Sequence, residues 1–314
     1  MTRGQRVAAI VNPAAGGDGD RMVAVLEAAA TEMHTFRTAA PGDATDIAYK
    51  LASDPEPPDV IVAVGGDGTV LEVVTGLHRS GESSATPAVP PLLVAPGGTG
   101  NSVYRGLWDD APWDDVAGRV LAGQTEVRTI DLARVEQTGD LVVLGSGSGL
   151  FAATLVAARN RPERGRDLLM AAALAAMESH EPYPGRVSID GDVLYEGGIV
   201  ETIVGGFRYR GGLLNLVPRS VLDDRLLDIT VVTSAADMNA FAAAAVQGDV
   251  YAVPGIRWGR GRCITVERTD GQPVLYEHDG EVMPEDTPAY DVRVLPGALT
   301  VLTAKDAPPW FGEG

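Results

Sequence analysis

The sequence predicts an α/β chain with an N-terminal doubly wound parallel-sheet domain and a C-terminal, mainly antiparallel β domain. Three observations carry this expectation. Up to about residue 122, short apolar runs alternate with helix-like segments, the rhythm of β-α-β units. Beyond Gly123, strand-like runs bounded by turn residues dominate. A length of 314 residues suits two domains, and 45% hydrophobic residues suffice to fill their cores. The domains are expected at 1–122 and 123–314, with the last segment free to pack back on the first domain.

Each element has a local reason. Arg6 to Val11 reads as a buried strand ending in a turn at Asn12-Pro13. Asp20 is placed to cap a helix to about Thr31, with Met22, Val25 and Leu26 on its apolar face. Met33 to Arg37 fits a second strand, and Asp43 opens a helix to about Leu51. Proline and acid make Asp54 to Asp59 a loop. The continuous apolar run Val60 to Val64 suits a central parallel strand, a helix follows Gly68, and Leu92 to Ala95 is another buried strand. In the second domain strands are expected at Val127–Val135, Leu141–Leu144, Arg186–Ile189, Ile199–Val204, Leu227–Val232, Cys263–Glu267, Val292–Leu295 and Leu299–Leu302. Two alanine-rich stretches, Thr154–Met177 and Ala236–Gln247, read as helical.

Composition excludes several functions. The 25 Lys and Arg stand against 43 Asp and Glu, and a net charge of −18 argues against nucleic acid and against charge-driven binding to anionic lipid. One cysteine, Cys263, permits no internal disulfide and no Cys-based zinc site. The longest apolar stretch, Leu168 to Met177, is about half a membrane span, so no transmembrane segment is expected. A cytoplasmic protein follows, one that reaches any lipid from the surface, at the inner membrane face.

Three glycine-bearing turns follow predicted strands: Asn12 to Gly17, Gly65-Gly66-Asp67-Gly68-Thr69, and Pro96 to Asn101. In a parallel sheet all three converge beyond the strand C-termini. Glycines let backbone amides approach phosphate oxygens, and helix N-termini favour the negative charge. Thr69, Thr99 and Asn101 add side-chain donors, and Asp67 can hold a magnesium ion bridging the phosphates. Taken singly, each loop is better explained as a tight turn at a helix start; three in register favour the phosphate reading. The phosphate-loop lysine is missing, because neither Lys50 nor Lys305 follows a glycine. Charge neutralisation then falls to magnesium and arginine; Arg105 is a candidate, or a surface residue pairing with Asp109. Gly147-Ser148-Gly149-Leu150-Phe151-Ala152 fits a dinucleotide fingerprint, but no second strand ending in an acid follows it.

With these loops in place, the sequence resembles the diacylglycerol kinase catalytic family, which includes soluble bacterial diacylglycerol kinases, related lipid kinases, and sphingosine and ceramide kinases. Gly65 to Thr69 and Pro96 to Asn101 look like its two nucleotide-loop signatures, and Asn12-Pro13 with Gly16-Gly17 like its opening segment. Asp223 to Asp228 resembles its D-D-G-L-L-D segment, with Arg225 at the glycine, and Asp279-Gly280-Glu281 its D-G-E. The resemblance implies a nucleotide domain followed by a β-sandwich, with catalysis in the cleft. It implies ATP binding by Asn12, Thr38, Gly65, Gly66, Asp67, Gly68, Thr69, Gly98, Thr99 and Asn101. It implies that Glu281 takes the proton of a lipid hydroxyl. It also implies a magnesium ion held by Asp224 with the main-chain carbonyls of Val221 and Leu226.

The expected activity is therefore ATP- and Mg2+-dependent phosphorylation of diacylglycerol or a related lipid. Asp67 organises Mg–ATP, and either Glu281 or Asp67 accepts the proton. Apolar segments such as Leu150–Leu155 and Leu213–Val217 would cradle acyl chains, or simply pack the core. An NAD kinase-like enzyme with a soluble acceptor and a non-catalytic nucleotide- or lipid-binding homologue stay open, as does a homodimer.

Overall fold

An apolar run with a single charged residue at its start makes Arg6–Val11 (β1) a strand buried from its second residue onward. It anchors the first of the two compact units into which the chain divides, Met1–Ile130 with Gly297–Gly314, and Asp131–Pro296. The structure, a computed structural model, describes residues 6–28, 30, 32–82, 88–159, 161–163, 165–284, 286–306, 308 and 310–312, apart from the side chains of residues 121 and 166.

In the first unit β1 is followed by α1 (Gly19–Glu27), β2 (Glu32–Arg37), α2 (Asp43–Ala52), β3 (Val60–Gly65), α3 (Asp67–Gly81), β4 (Leu92–Pro96), α4 (Ser102–Trp108) and α5 (Trp113–Leu121). β1 pairs in parallel with both β2 and β3, and β3 with β4. The order β2-β1-β3-β4 reverses direction between β1 and β3, the switch point of a doubly wound sheet. β3 is buried along its whole length, whereas β2, at the edge, is mostly exposed. The cap of α1 is Asp18 rather than Asp20, since its side chain accepts from the Arg21 amide. The expected end of that helix at about Thr31 falls partly on residues 29 and 31, which lie outside the described residues.

The chain enters the second unit along β5 (Thr125–Val135). Then come β6 (Leu141–Val142), β7 (Ser146–Gly149), α6 (Leu150–Ala158), α7 (Gly165–Ser179), β8 (Tyr183–Ile189) and β9 (Asp192–Gly205). The expected single helical stretch from Thr154 is thus two helices. The segment between them carries Pro162, which has no amide to continue a helix. β10 (Tyr209–Arg210), β11 (Leu214–Asn215), β12 (Leu227–Thr233), α8 (Met238–Gln247), β13 (Ile256–Gly261), β14 (Cys263–Arg268), β15 (Tyr276–His278), β16 (Glu281–Val282) and β17 (Ala289–Ala304) complete it. The long β9 pairs antiparallel with β8 over its first part, and with β7 and β12 over its last. β14 pairs antiparallel with β8 and with the start of β17, whose Val301 lies beside Leu92 in the first unit's sheet. A core from Val187, Ile199, Ile229, Ile264, Tyr276, Tyr290 and their neighbours fills this β-sandwich. Among the described residues no helix is long and apolar enough to cross a membrane.

Candidate active site

Parallel pairing puts the ends of β1, β3 and β4 at one edge of the sheet, and their three loops pack directly on one another. The Gly17 amide donates to Gly97 O, and the Gly97 amide to Gly65 O, both at 2.9 Å. A Cβ on Gly98 would lie 2.3 Å from the Gly66 Cα, and one on Gly17 2.8 Å from Gly97 O. The glycines are there because backbone meets backbone. Asn12 links two loops: its Nδ2 donates to Thr69 Oγ1 at 3.0 Å, and its Oδ1 accepts from the Ala14 amide at 2.9 Å. The Thr38 amide donates to Val11 O at 2.9 Å, which sets this residue beside the Asn12 turn. Asn101, with φ of 55°, closes the third loop by a reciprocal pair of 2.8 Å bonds with Gly98. Thr99 is exposed in that loop.

Asp67 does something the sequence did not announce. Its Oδ2 accepts from the Ser102 amide and its Oδ1 from the Val103 amide, each at 3.0 Å. One carboxylate at the start of α3 therefore caps the start of α4 and locks the second loop to the third. The N-cap of α3 is Gly66, which has no side chain to cap the helix. Its first-turn amides, from Gly68 onward, thus face the loop edge without a side-chain acceptor from Gly66, the arrangement that receives a phosphate. Arg105 pairs with Asp110 at 3.0 Å.

In the second unit, Asp279-Gly280 is a two-residue hairpin turn between β15 and β16. Both residues have positive φ, 50° and 90°, and His278 pairs with Glu281 across it. Asp279 is a clamp, accepting from the amides of Val143 at 3.0 Å and Leu144 at 2.6 Å. Glu281 stands exposed at the head of β16. Behind the turn lies a pair of buried carboxyl groups that sequence reasoning missed. Glu277, 2% exposed, accepts from the Gly280 amide at 2.9 Å through Oε2. Glu201, 4% exposed, accepts from the Phe151 amide at 2.5 Å through Oε2, while its Oε1 has no hydrogen-bond partner among the described residues. A Cβ on Gly147 would lie 3.1 Å from Glu201 Oε1 and 3.2 Å from Glu277 Oε1, so the two acids flank that glycine. Burial pushes the Glu277 carboxyl up to about 7 and Glu201 well above the usual carboxylate range. A charged residue inside Ile199-Val200-Glu201-Thr202-Ile203 was the available signal. The Glu201 carboxylate also fills the N-terminus of α6, so the Gly147 to Ala152 fingerprint has no room there for a dinucleotide phosphate.

The Asp223–Asp228 turn departs from the implied magnesium site. Asp224 Oδ1 accepts from the Leu226 amide at 3.0 Å, and Oδ2 pairs with Arg260 Nη2 at 3.1 Å. Arg225, at the family's glycine position, holds φ of 65°, and its amide donates to Asp131 Oδ2 at 2.5 Å. The Asp131 amide in turn donates to Leu222 O at 2.7 Å. With one carboxylate oxygen spent on its own turn and the other facing a guanidinium, Val221, Asp224 and Leu226 as arranged do not fit a resident divalent ion, which needs converging oxygens. No group of three or more His, Cys, Asp or Glu able to hold a metal occurs among the described residues.

Comparison with known proteins covers nearly the whole chain. Residues 6–135 match the diacylglycerol kinase catalytic domain, and residues 143–303 the YegS C-terminal NAD kinase beta sandwich-like domain. A Pseudomonas aeruginosa (PAO1) protein named "Probable lipid kinase YegS-like" is 31% identical over 251 residues, covering 77% of this chain and 75% of its own. The diacylglycerol kinase of Bacillus subtilis (strain 168) is 29% identical over 255 residues, 78% of this chain and 80% of that one. A crystal structure of a diacylglycerol kinase from Bacillus anthracis superposes with a TM-score of 0.69 at 25% identity, covering 97% of this chain and 99% of the other.

Proposed function

The chain belongs to the diacylglycerol kinase catalytic-domain family of lipid kinases, and on that premise we propose that it transfers the γ-phosphoryl group of Mg–ATP to a hydroxyl of diacylglycerol or a related lipid. The observation that carries the nucleotide half is the joined set of three loops beside the α3 N-terminus, whose N-cap is a glycine. Amides of Gly66, Gly68 and Thr69 would take phosphate oxygens, with Thr99 donating its hydroxyl and Asn12, Thr38 and Asn101 shaping the rim. Magnesium enters as part of the nucleotide substrate and supplies charge neutralisation that the lysine-free loops lack.

The acceptor half rests on Glu281. The lipid hydroxyl oxygen attacks the γ-phosphorus, the bond to the bridging oxygen breaks, ADP leaves, and the hydroxyl proton passes to the Glu281 carboxylate. Exposure at the head of a clamped hairpin makes this carboxylate available while the Asp279 and Glu277 bonds fix its backbone. Asp67 serves here by holding α4 against α3 rather than as a base, since both its oxygens already receive amides. The enzyme would meet its acceptor from the water side, at the inner membrane face.

The test is transfer of radiolabelled phosphate from ATP to a panel of lipid and water-soluble alcohols. Label in chloroform-extractable product is expected. Glu281→Gln should lower kcat by roughly 10²–10⁴-fold with the melting temperature unchanged, as suits an exposed general base. Label found only in aqueous products would replace the lipid acceptor by a soluble one.

A further inference from the structure

The α6–α7 hairpin is apolar where a water-facing helix pair should be polar. The sequence of α6, Leu150–Ala158, carries no charge, yet its only buried side chains are Ala152 and Thr154. From Leu168 to Met177 α7 is wholly apolar, and only Ala172 and Ala176 of that stretch are buried. The outward face of α7 presents Met170 (66% exposed), Leu174 (58%) and Met177 (44%), spaced i, i+4, i+7, with Leu169 (39%) beside them and Val156 (38%) exposed on α6. From Asp167 to Ser179 the only charges are Asp167 and Glu178; the basic residues of the hairpin, Arg159, Arg161, Arg164 and Arg166, gather in the sequence with Glu163 where the two helices join. A contiguous patch of this kind marks an interaction surface, whereas singly scattered apolar residues do not.

We propose that this hairpin is the face by which the enzyme docks on a lipid bilayer, by insertion of its apolar side chains. Two observations choose the bilayer as occupant. The hairpin is joined to the acceptor machinery: α6 packs against β9, β15 and β16, the strands that carry Glu201, Glu277 and Glu281, and Glu201 accepts from the amide of Phe151 in its first turn. The chain's charge of −18 opposes long-range attraction to an anionic surface, so the apolar face has to supply the main binding energy, with the arginines of the connection left at the headgroups. Met170, Leu174 and Met177 would sink among the acyl chains, with Asp167 and Glu178 left toward the headgroups. The inference rests on the lipid-acceptor reading above and adds the surface through which that acceptor is reached.

Flotation of the full chain with phosphatidylcholine vesicles, with and without phosphatidylglycerol and at low and high salt, tests it. The protein should float with phosphatidylcholine alone. Phosphatidylglycerol should not be required for binding, and salt should not release it. The variant M170E/L174E, altered only at exposed positions, should partition roughly tenfold or more weakly with its melting curve unchanged. Its turnover of a short-chain diacylglycerol dissolved below its aggregation limit should match the parent's. A parent that stays in the aqueous fraction, binding that requires phosphatidylglycerol and vanishes in salt, or a variant that floats as the parent does would each overturn the proposal. So would a dimer that M170E/L174E converts to monomer while flotation persists, because a second copy would then be the occupant. Absence of turnover on every lipid alcohol would sink the kinase reading alone, since flotation is read without catalysis.

Discussion

Replacing Glu277 by Gln should change how stability depends on pH far more than it changes the fold. The amide keeps a carbonyl oxygen for the Gly280 N–H, so the hairpin bond survives, while the ionisable proton is gone. In the folded chain burial drives the Glu277 carboxyl from 4.5 up to about 7. Below pH 4.5 the acid is protonated in both states and costs nothing. Between 4.5 and about 7 the unfolded chain releases a proton that the folded chain keeps, so stability falls as pH rises, by about 3 kcal/mol in all. Above about 7 the loss is complete. Glu201, Arg210, His278 and Asp279 face Glu277 and remain in the variant, so the difference between the two proteins isolates this one group. Amide exchange in peptides covering Ser146–Gly149 and Tyr276–His278 reads the second unit without requiring the whole chain to unfold in one step. Protection in Glu277→Gln should exceed the parent's increasingly from acid to mildly alkaline pH, approaching the full 3 kcal/mol only if the opening exposes the carboxyl completely. A difference that stays the same at both ends of that range would refute a buried, late-titrating carboxyl.

Three further outcomes follow from the geometry. Asp67→Ala removes two charge-assisted bonds to the start of α4; it should destabilise the first unit by about 2–3 kcal/mol and lower turnover about 100-fold or more, checked by denaturant titration and ADP release. Arg225→Gly relieves a left-handed residue with φ of 65° and should raise stability by about 1 kcal/mol in a thermal melt, provided the Asp131 bond to its amide persists. Chelating divalent ions should leave the melting temperature of the nucleotide-free protein unchanged, whereas Arg260→Met, which strips Asp224 of its cation, should lower stability by about 1 kcal/mol.

The sequence by itself determined the order of elements in the first unit and the place where its loops meet. Short β-branched runs bounded by turn residues, such as Val60–Val64, read as central strands, and parallel strands present their C-terminal loops at one edge, so the glycine turns converge there. It also placed Glu281 after a D-G turn, because paired residues at positive φ leave a two-residue hairpin little choice. What only the tertiary structure decided concerns side chains whose partners lie far along the chain. Asp67 reads as a phosphate or metal residue until its carboxylate is seen to receive the amides 35 and 36 positions on. Asp224 reads as a metal ligand until Arg260, on a strand reached only after β12 and α8, is found opposite it. Glu277 alternates with Tyr276 and His278 like the polar face of a surface strand, yet it is buried: α6 packs on β15 and β9, and the β15-β7-β9 pairing puts Glu201 across Gly147. Periodicity reports which face of an element is apolar; it carries no information about which distant element covers the other face, and that cover fixes both the partner and the proton affinity of a carboxyl group.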